Sequence, residues 1–218
     1  MQYKAVIFDM DGLLIDSEPF WEEAGSETLN EFGKVLTQEQ YSSSTGLRTE
    51  EWITHWFRFF DISIQHVTEA TNTIIQKAID KIAAKAEPMP GVDYILHFFR
   101  EHHFQIALAS SSPMELIDVV VDKLNIRSQF QVFTSAQHLA FGKPHPEVFL
   151  NCADELGRLP TECIVFEDSF NGMIAAKAAR MKCVVVPSAA DHALLKWNAA
   201  DLILPSLQHF TKEHLEKL

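Results

Sequence analysis

Four short clusters of polar residues stand directly after apolar runs. Asp9-Met10-Asp11-Gly12 follows KAVIF (residues 4–8), Ser110-Ser111-Ser112 follows QIALA (105–109), and Glu167-Asp168-Ser169 follows CIVF (163–166). Gly142-Lys143-Pro144 comes after a weaker run, QVFT (131–134). Brought together, these residue types fit phosphoryl transfer. Up to four carboxylates (Asp9, Asp11, Glu167, Asp168) at one mouth repel one another unless a cation compensates. An all-oxygen ligand set with no accompanying His or Cys pattern suits Mg2+. Lys143 adds a second positive charge, and the Ser110–Ser112 hydroxyls and N–H groups offer an anion cradle at a helix start. The D-x-D spacing then reads mechanically. Asp9 attacks phosphorus in line and forms an aspartyl phosphate. Asp11 protonates the departing alcohol and later activates water. Gly12 permits the tight turn that places both carboxylates.

For these clusters to meet, the runs before them must be neighbouring strands. Their short, continuous, β-branched character predicts strands buried on both faces of a parallel sheet. CVVV (183–186) has the same character, and DLILP (201–205) is a weaker candidate. Helical patterns lie between them: a stripe of Val92, Ile95, Leu96 and Phe99, a helix opened by Pro113, and one opened by Pro146 that stops near Gly157. Strand–helix alternation of this kind predicts a doubly wound, Rossmann-like α/β core, whose ligands bind beyond the carboxyl ends of the strands. Residues 17–87 break the rhythm. They hold no convincing strand and three of the four tryptophans (Trp21, Trp52, Trp56), and they end in the linker-like Glu87-Pro88-Met89-Pro90-Gly91. The expected division is a core of 1–16 plus 88–218 and a helical insertion of 17–87.

Composition narrows the partners. The 218 residues carry a net charge of −12, which argues against nucleic acid and against an anionic membrane surface. Apolar residues at 47% and charged residues at 22% fit a globular chain. No apolar run approaches a membrane span, and the first residues lack a signal-peptide layout. Three cysteines in apolar runs predict buried thiols rather than a disulfide framework. The expectation is a cytoplasmic monomer acting on a small molecule.

With these residues in view, FDMDGLLIDSEP, LASSSP, FGKPHPEVF and VFEDSFNGM resemble, in order and spacing, the four motifs of the haloacid-dehalogenase-like superfamily. The resemblance implies Asp9 as nucleophile and Asp11 as general acid/base. It implies Asp9, the Asp11 carbonyl and Asp168 as magnesium ligands with Glu167 close by, and Ser110, Ser111 and Lys143 as phosphoryl binders. Asn171 is a further candidate within the fourth motif. Residues 17–87 look like the family's helical cap, and Arg48 lies on a cap loop that the resemblance turns toward the substrate. The wording of GLLIDSEP, KPHP and EDSFNGM is similar to bacterial sugar-phosphate phosphatases of the 2-deoxyglucose-6-phosphate and hexitol phosphatase kind. The implied activity is Mg2+-dependent hydrolysis of sugar or sugar-alcohol phosphates.

The alternative on the same fold is a sugar-phosphate mutase. In the β-phosphoglucomutase branch a cap histidine stands five residues after the aspartate equivalent to Asp16; here that position is Trp21. A signalling receiver domain also uses a phosphorylated aspartate, magnesium and lysine. It carries the phosphorylated aspartate after a later strand, however, and lacks a seventy-residue insertion. Plainer roles compete at single positions: Ser110–Ser112 can cap the helix after Pro113, and Glu167 and Asp168 can cap the one after Ser169.

Overall fold

The structure, a computed structural model, describes residues 3–218. Its centre is a six-stranded, all-parallel sheet of β1 (Ala5–Phe8), β2 (Gln105–Ser110), β3 (Val132–Ser135), β4 (Cys163–Glu167), β5 (Lys182–Val185) and β6 (Leu202–Ile203). The strand order is 3-2-1-4-5-6, so the chain reverses direction across the sheet between β1 and β4. A crevice opens at that switch point beyond the strand ends. Each apolar run forms its strand, with small shifts. The second-last strand starts at Lys182, and of DLILP only Leu202 and Ile203 pair, because this edge run has a neighbour on one side alone.

Alternation along β1 sorts its side chains to two layers. Val6 and Phe8 enter one core with Phe99, Phe166 and Phe210, while Ala5 and Ile7 enter the other with Phe149, Val165, Met173 and Trp197. The rings of Phe8, Phe99, Phe166 and Phe210 meet at centroid distances of 5.1–6.0 Å. Each such buried ring contributes roughly 1.5–3 kcal/mol of transfer free energy, which fixes the sheet beneath the strand ends.

Between β1 and the first core helix lie four helices: α1 (Glu18–Glu31), α2 (Gln38–Ser43), α3 (Thr49–Phe59) and α4 (Val67–Lys85). They share a core of Leu29, Ile53, Trp56, Phe57, Ile74 and Ile82, continuous with the sheet's Phe8 face through Leu13, Leu14 and Ile15. The chain leaves for this segment and returns from it side by side. Asp16 N donates to Glu87 O (2.9 Å), Met89 N donates to Leu14 O (3.0 Å), and Ile15 pairs with Pro88. These paired crossings join the helical segment to the core at residues 14–16 and 87–89.

The remaining helices, α5 (Val92–Glu101), α6 (Met114–Lys123), α7 (Glu147–Glu155), α8 (Phe170–Ala178) and α9 (Lys212–Lys217), cover the sheet faces. Pro113 and Pro146 immediately precede α6 and α7, and Gly157, with φ +67°, follows α7. Cys152, Cys163 and Cys183 are free, buried thiols.

Candidate active site

Asp9 is the first residue past β1, and its N–H continues the ladder by donating to Phe166 O (3.0 Å). That register sets Asp9 beside Glu167, the last residue of β4. Lys143 arrives from the loop between β3 and α7. Its side chain is 2% exposed, and Nζ lies 2.5 Å from Asp9 Oδ1 and 2.7 Å from Glu167 Oε1, above the ring of Phe149. The sequence therefore assembles an ion-paired triad from residues 9, 143 and 167.

Both carboxylate oxygens of Glu167 are engaged within the protein. Oε1 takes Lys143, while Oε2 accepts the N–H groups of Asp168 (3.0 Å) and Ser169 (2.9 Å) and the Ser169 hydroxyl (2.9 Å). Ser169, rather than Glu167 or Asp168, caps α8, accepting Gly172 N–H. The Asp168 carboxylate has no hydrogen-bond partner among the described residues and lines the crevice. Carboxylate oxygens of Asp9, Glu167 and Asp168 all lie within 4.8 Å of one another. Gly12 adopts φ +71°, and a Cβ there would fall 2.2 Å from Asp168 Oδ2.

Asp11 makes a different set of bonds. Oδ1 accepts from Ser17 Oγ (2.7 Å) and Trp21 Nε1 (2.8 Å); Oδ2 accepts from Ser112 Oγ (2.6 Å) and, at 3.4 Å, Ser110 Oγ. Ser110 and Ser112 thus serve Asp11 rather than cap α6, which has no side-chain cap. By sequence, Ser17 has no assigned role, Trp21 stands at the position of the mutase-branch histidine and Ser112 belongs to an anion cradle; a bond to Asp11 is foreseen for none of the three. Only the reach of α1 back over the strand ends brings the first two to Asp11, and nothing in local spacing announces it.

Like charge and burial dominate the electrostatics. Burial pushes the Asp9 carboxyl well up; Lys143 offsets part of this, and Glu167 and Asp11 add to it. Asp168 is raised by burial first and then by Glu167, Asp9 and Glu18. Glu18, at the start of α1, is pushed up to about 8 by burial, with Asp11 and Glu22 adding. Burial alone would lower the Lys143 ammonium, but Asp9 and Glu167 hold it above its ordinary value. The crevice therefore holds more negative charge than its lysine neutralises. A divalent cation fits this donor set: Asp9 has a second oxygen free of Lys143, Asp168 is unpartnered, and the Asp11 carbonyl accepts no hydrogen bond among the described residues.

Above these residues is a cavity of about 680 Å3 measured out to its mouth, lined on the core side by Asp9, Asp11, Ser110–Ser112, Lys143 and Asp168. Its far wall comes from the helical segment, including Glu18, Trp21, Tyr41, Gly46 and Trp52. Ser111 gives its hydroxyl to Gly46 O (3.2 Å), while its N–H has no partner among the described residues. Two expected site residues are elsewhere. Arg48 does not line this cavity: its guanidinium donates to Leu139 O (2.6 Å) and Ala136 O (3.3 Å) and pairs with Glu51. Its extended φ of −63° and ψ of 140° at the start of α3 turn it outward from the loop. Asn171 donates to Thr45 O (3.0 Å), fastening the cap loop rather than facing the cavity.

The sequence model of the haloacid dehalogenase-like hydrolases matches residues 6–186. The chain belongs to that family. Among its relatives, hexitol phosphatase B of Escherichia coli K12 is 35% identical over 215 residues, covering 98% of this chain and 97% of that protein. A phosphorylated carbohydrates phosphatase of Thermotoga maritima is 30% identical, covering 93% and 94%. The fold is shared with a β-phosphoglucomutase from Clostridium difficile, with a TM-score of 0.87 at 23% identity over 99% of this chain and 96% of that one. The chain carries its polar clusters at the carboxyl ends of β1, β2 and β4. Among the described residues no helix is long and apolar enough to cross a membrane.

Proposed function

We propose that the chain is a magnesium-dependent phosphatase that hydrolyses small phosphate monoesters, namely sugar or sugar-alcohol phosphates such as 2-deoxyglucose-6-phosphate, through an aspartyl-phosphate intermediate. One observation carries the reading: Asp9, held 2.5 Å from Lys143, faces the same roofed cavity as the unpartnered Asp168 and the Ser111 N–H. The full-length likeness to hexitol phosphatase B supports the substrate class.

In this reading Asp9, the Asp11 carbonyl and Asp168 hold Mg2+, with Glu167 positioning Lys143 and the 168–169 backbone behind them. When bound, Mg2+ neutralises part of the charge shared by carboxylates and phosphate. Lys143 and the Ser111 N–H bind the phosphoryl oxygens, with Ser110 beside them. Asp9 attacks phosphorus and displaces the alcohol oxygen. Asp11 delivers a proton to that oxygen and then takes one from the water that cleaves the acyl phosphate. The helical wall keeps bulk water from the acyl phosphate between the two steps. Buried, reduced cysteines support a cytoplasmic setting, and a monomer suffices because one chain supplies every residue named.

The test is phosphate release from hexose and hexitol phosphates with and without Mg2+, with Asp9→Asn as the blank. Mg2+-dependent release that the blank lacks is the expected result. Accumulation of an isomeric sugar phosphate without inorganic phosphate overturns it in favour of the mutase alternative, against which Trp21 stands where that branch has histidine.

A further inference from the structure

We propose that Arg48, the residue before α3, and Glu51 within it form a clasp that sets Lys143 in place, making both positioning residues for the phosphoryl site. The inference rests on the role proposed above for Lys143. The loop that delivers Lys143 leaves β3 at Ser135 and runs through residues 136–142 without regular structure. Between Leu139 and Gly142, the hydrogen bonds to other elements run to Arg48 and Glu51 among the described residues. Arg48 Nη1 donates to Leu139 O (2.6 Å) and Ala136 O (3.3 Å), and Arg48 Nη2 reaches Glu51 Oε1 (3.2 Å). Glu51 Oε1 in turn accepts the N–H of Gly142 (2.9 Å), the residue before Lys143.

The clasp is costly in ways that adhesion alone does not require. Arg48 Nε and Glu51 Oε2 are buried without partners. The pair is half-buried, with side chains 14% and 30% exposed, and an ion pair of this kind that leaves polar atoms unsatisfied adds little stability. Gly142 is also fitted to it: a Cβ there would come 2.4 Å from Glu51 Oε2 and 3.1 Å from Arg48 Cβ. Glycine is therefore the residue that lets the acidic side chain close on the backbone next to Lys143. Through this contact, seating of the helical segment is felt one residue from the ammonium that bridges Asp9 and Glu167.

The test compares Arg48→Ala, Glu51→Ala, the double variant and Gly142→Ala, the last removing no charge. Each single variant is expected to lower kcat on the order of 100-fold, as for a displaced catalytic group. The loss should be the same on a small aryl phosphate as on a hexitol phosphate, since Lys143 meets the phosphoryl group common to both. The double variant should lose no more than the worse single one. Amide exchange of residues 138–143 should quicken in all four while β1 and β4 stay protected. A loss confined to hexitol phosphate makes Arg48 a specificity residue and overturns the clasp. So do multiplying losses, or unchanged exchange in variants that remain folded by thermal melt. If the wild type releases phosphate from no ester, the phosphatase reading fails, and the exchange measurement still decides whether the clasp holds the loop.

Discussion

The indole N–H of Trp21 donates to Asp11 Oδ1 across 2.8 Å, from the first turn of α1 to the third residue past the end of β1. The side chain that replaces the mutase-branch histidine is therefore coupled to the proposed acid/base itself. Trp21→Phe keeps an aromatic ring and removes the donor. One donor to a carboxylate is worth about 1.5–3 kcal/mol, so kcat should fall roughly 10- to 100-fold with KM changing less. Steady-state kinetics on a hexitol phosphate check this, and an unchanged kcat removes Trp21 from the machinery.

Asp11→Asn should impair both halves of the reaction. General acid–base catalysis typically contributes about 10²–10⁴-fold. A loss in that range is expected in single-turnover alcohol release and again in steady-state phosphate release. Intact alcohol release with slow phosphate release would restrict Asp11 to activating water.

Glu167 and Asp168 are adjacent acids with opposite commitments. Both oxygens of Glu167 are engaged within the protein, whereas Asp168 has no protein partner among the described residues. Glu167→Gln leaves Asp9 as the one carboxylate paired with Lys143 and should cost about 3 kcal/mol of stability, as expected when a buried pair is broken. Asp168→Asn should leave the thermal midpoint near that of the wild type and weaken Mg2+ binding measured by calorimetry. The reverse pattern would make Glu167 the ligand.

Without a divalent cation the crevice should make stability fall with rising pH. Glu18 titrates near 4.5 ordinarily and near 8 in the fold, and Asp9 and Asp168 are raised in the same sense. The folded state then binds more protons than the unfolded one, so the Glu18 contribution is fully present below about 4.5 and is lost as pH rises through about 8, and those of Asp9 and Asp168 are lost in the same direction. Melts in chelator should show the midpoint dropping across that window, and added Mg2+ should restore it most at the alkaline end. A midpoint indifferent to both would mean that these carboxylates are not crowded.

Much of the site was legible because strands buried on both faces write themselves as uninterrupted apolar runs, and the residue that ends such a run stands at the carboxyl edge of the sheet. Asp9, Ser110 and Glu167 follow from that rule, and the break at 17–87 follows from the loss of strand signal. Lys143 was marked by its motif, yet its contact with Asp9 spans 134 positions. The partners of Arg48, Asn171, Trp21 and Ser112 were not legible. Arg48 meets Leu139 across 91 positions and Asn171 meets Thr45 across 126. Periodicity records which face a residue presents to its own element. It carries no record of what the helical segment meets when it folds back over the sheet. The sequence by itself therefore determined the parallel core, the order of its polar clusters and the chemistry they share. Only the tertiary structure decided which carboxylate is free, which donor holds Asp11, and that Arg48 grips the lysine loop instead of lining the cavity. Those choices depend on close approach between distant segments, where packing and desolvation act on whole surfaces at once.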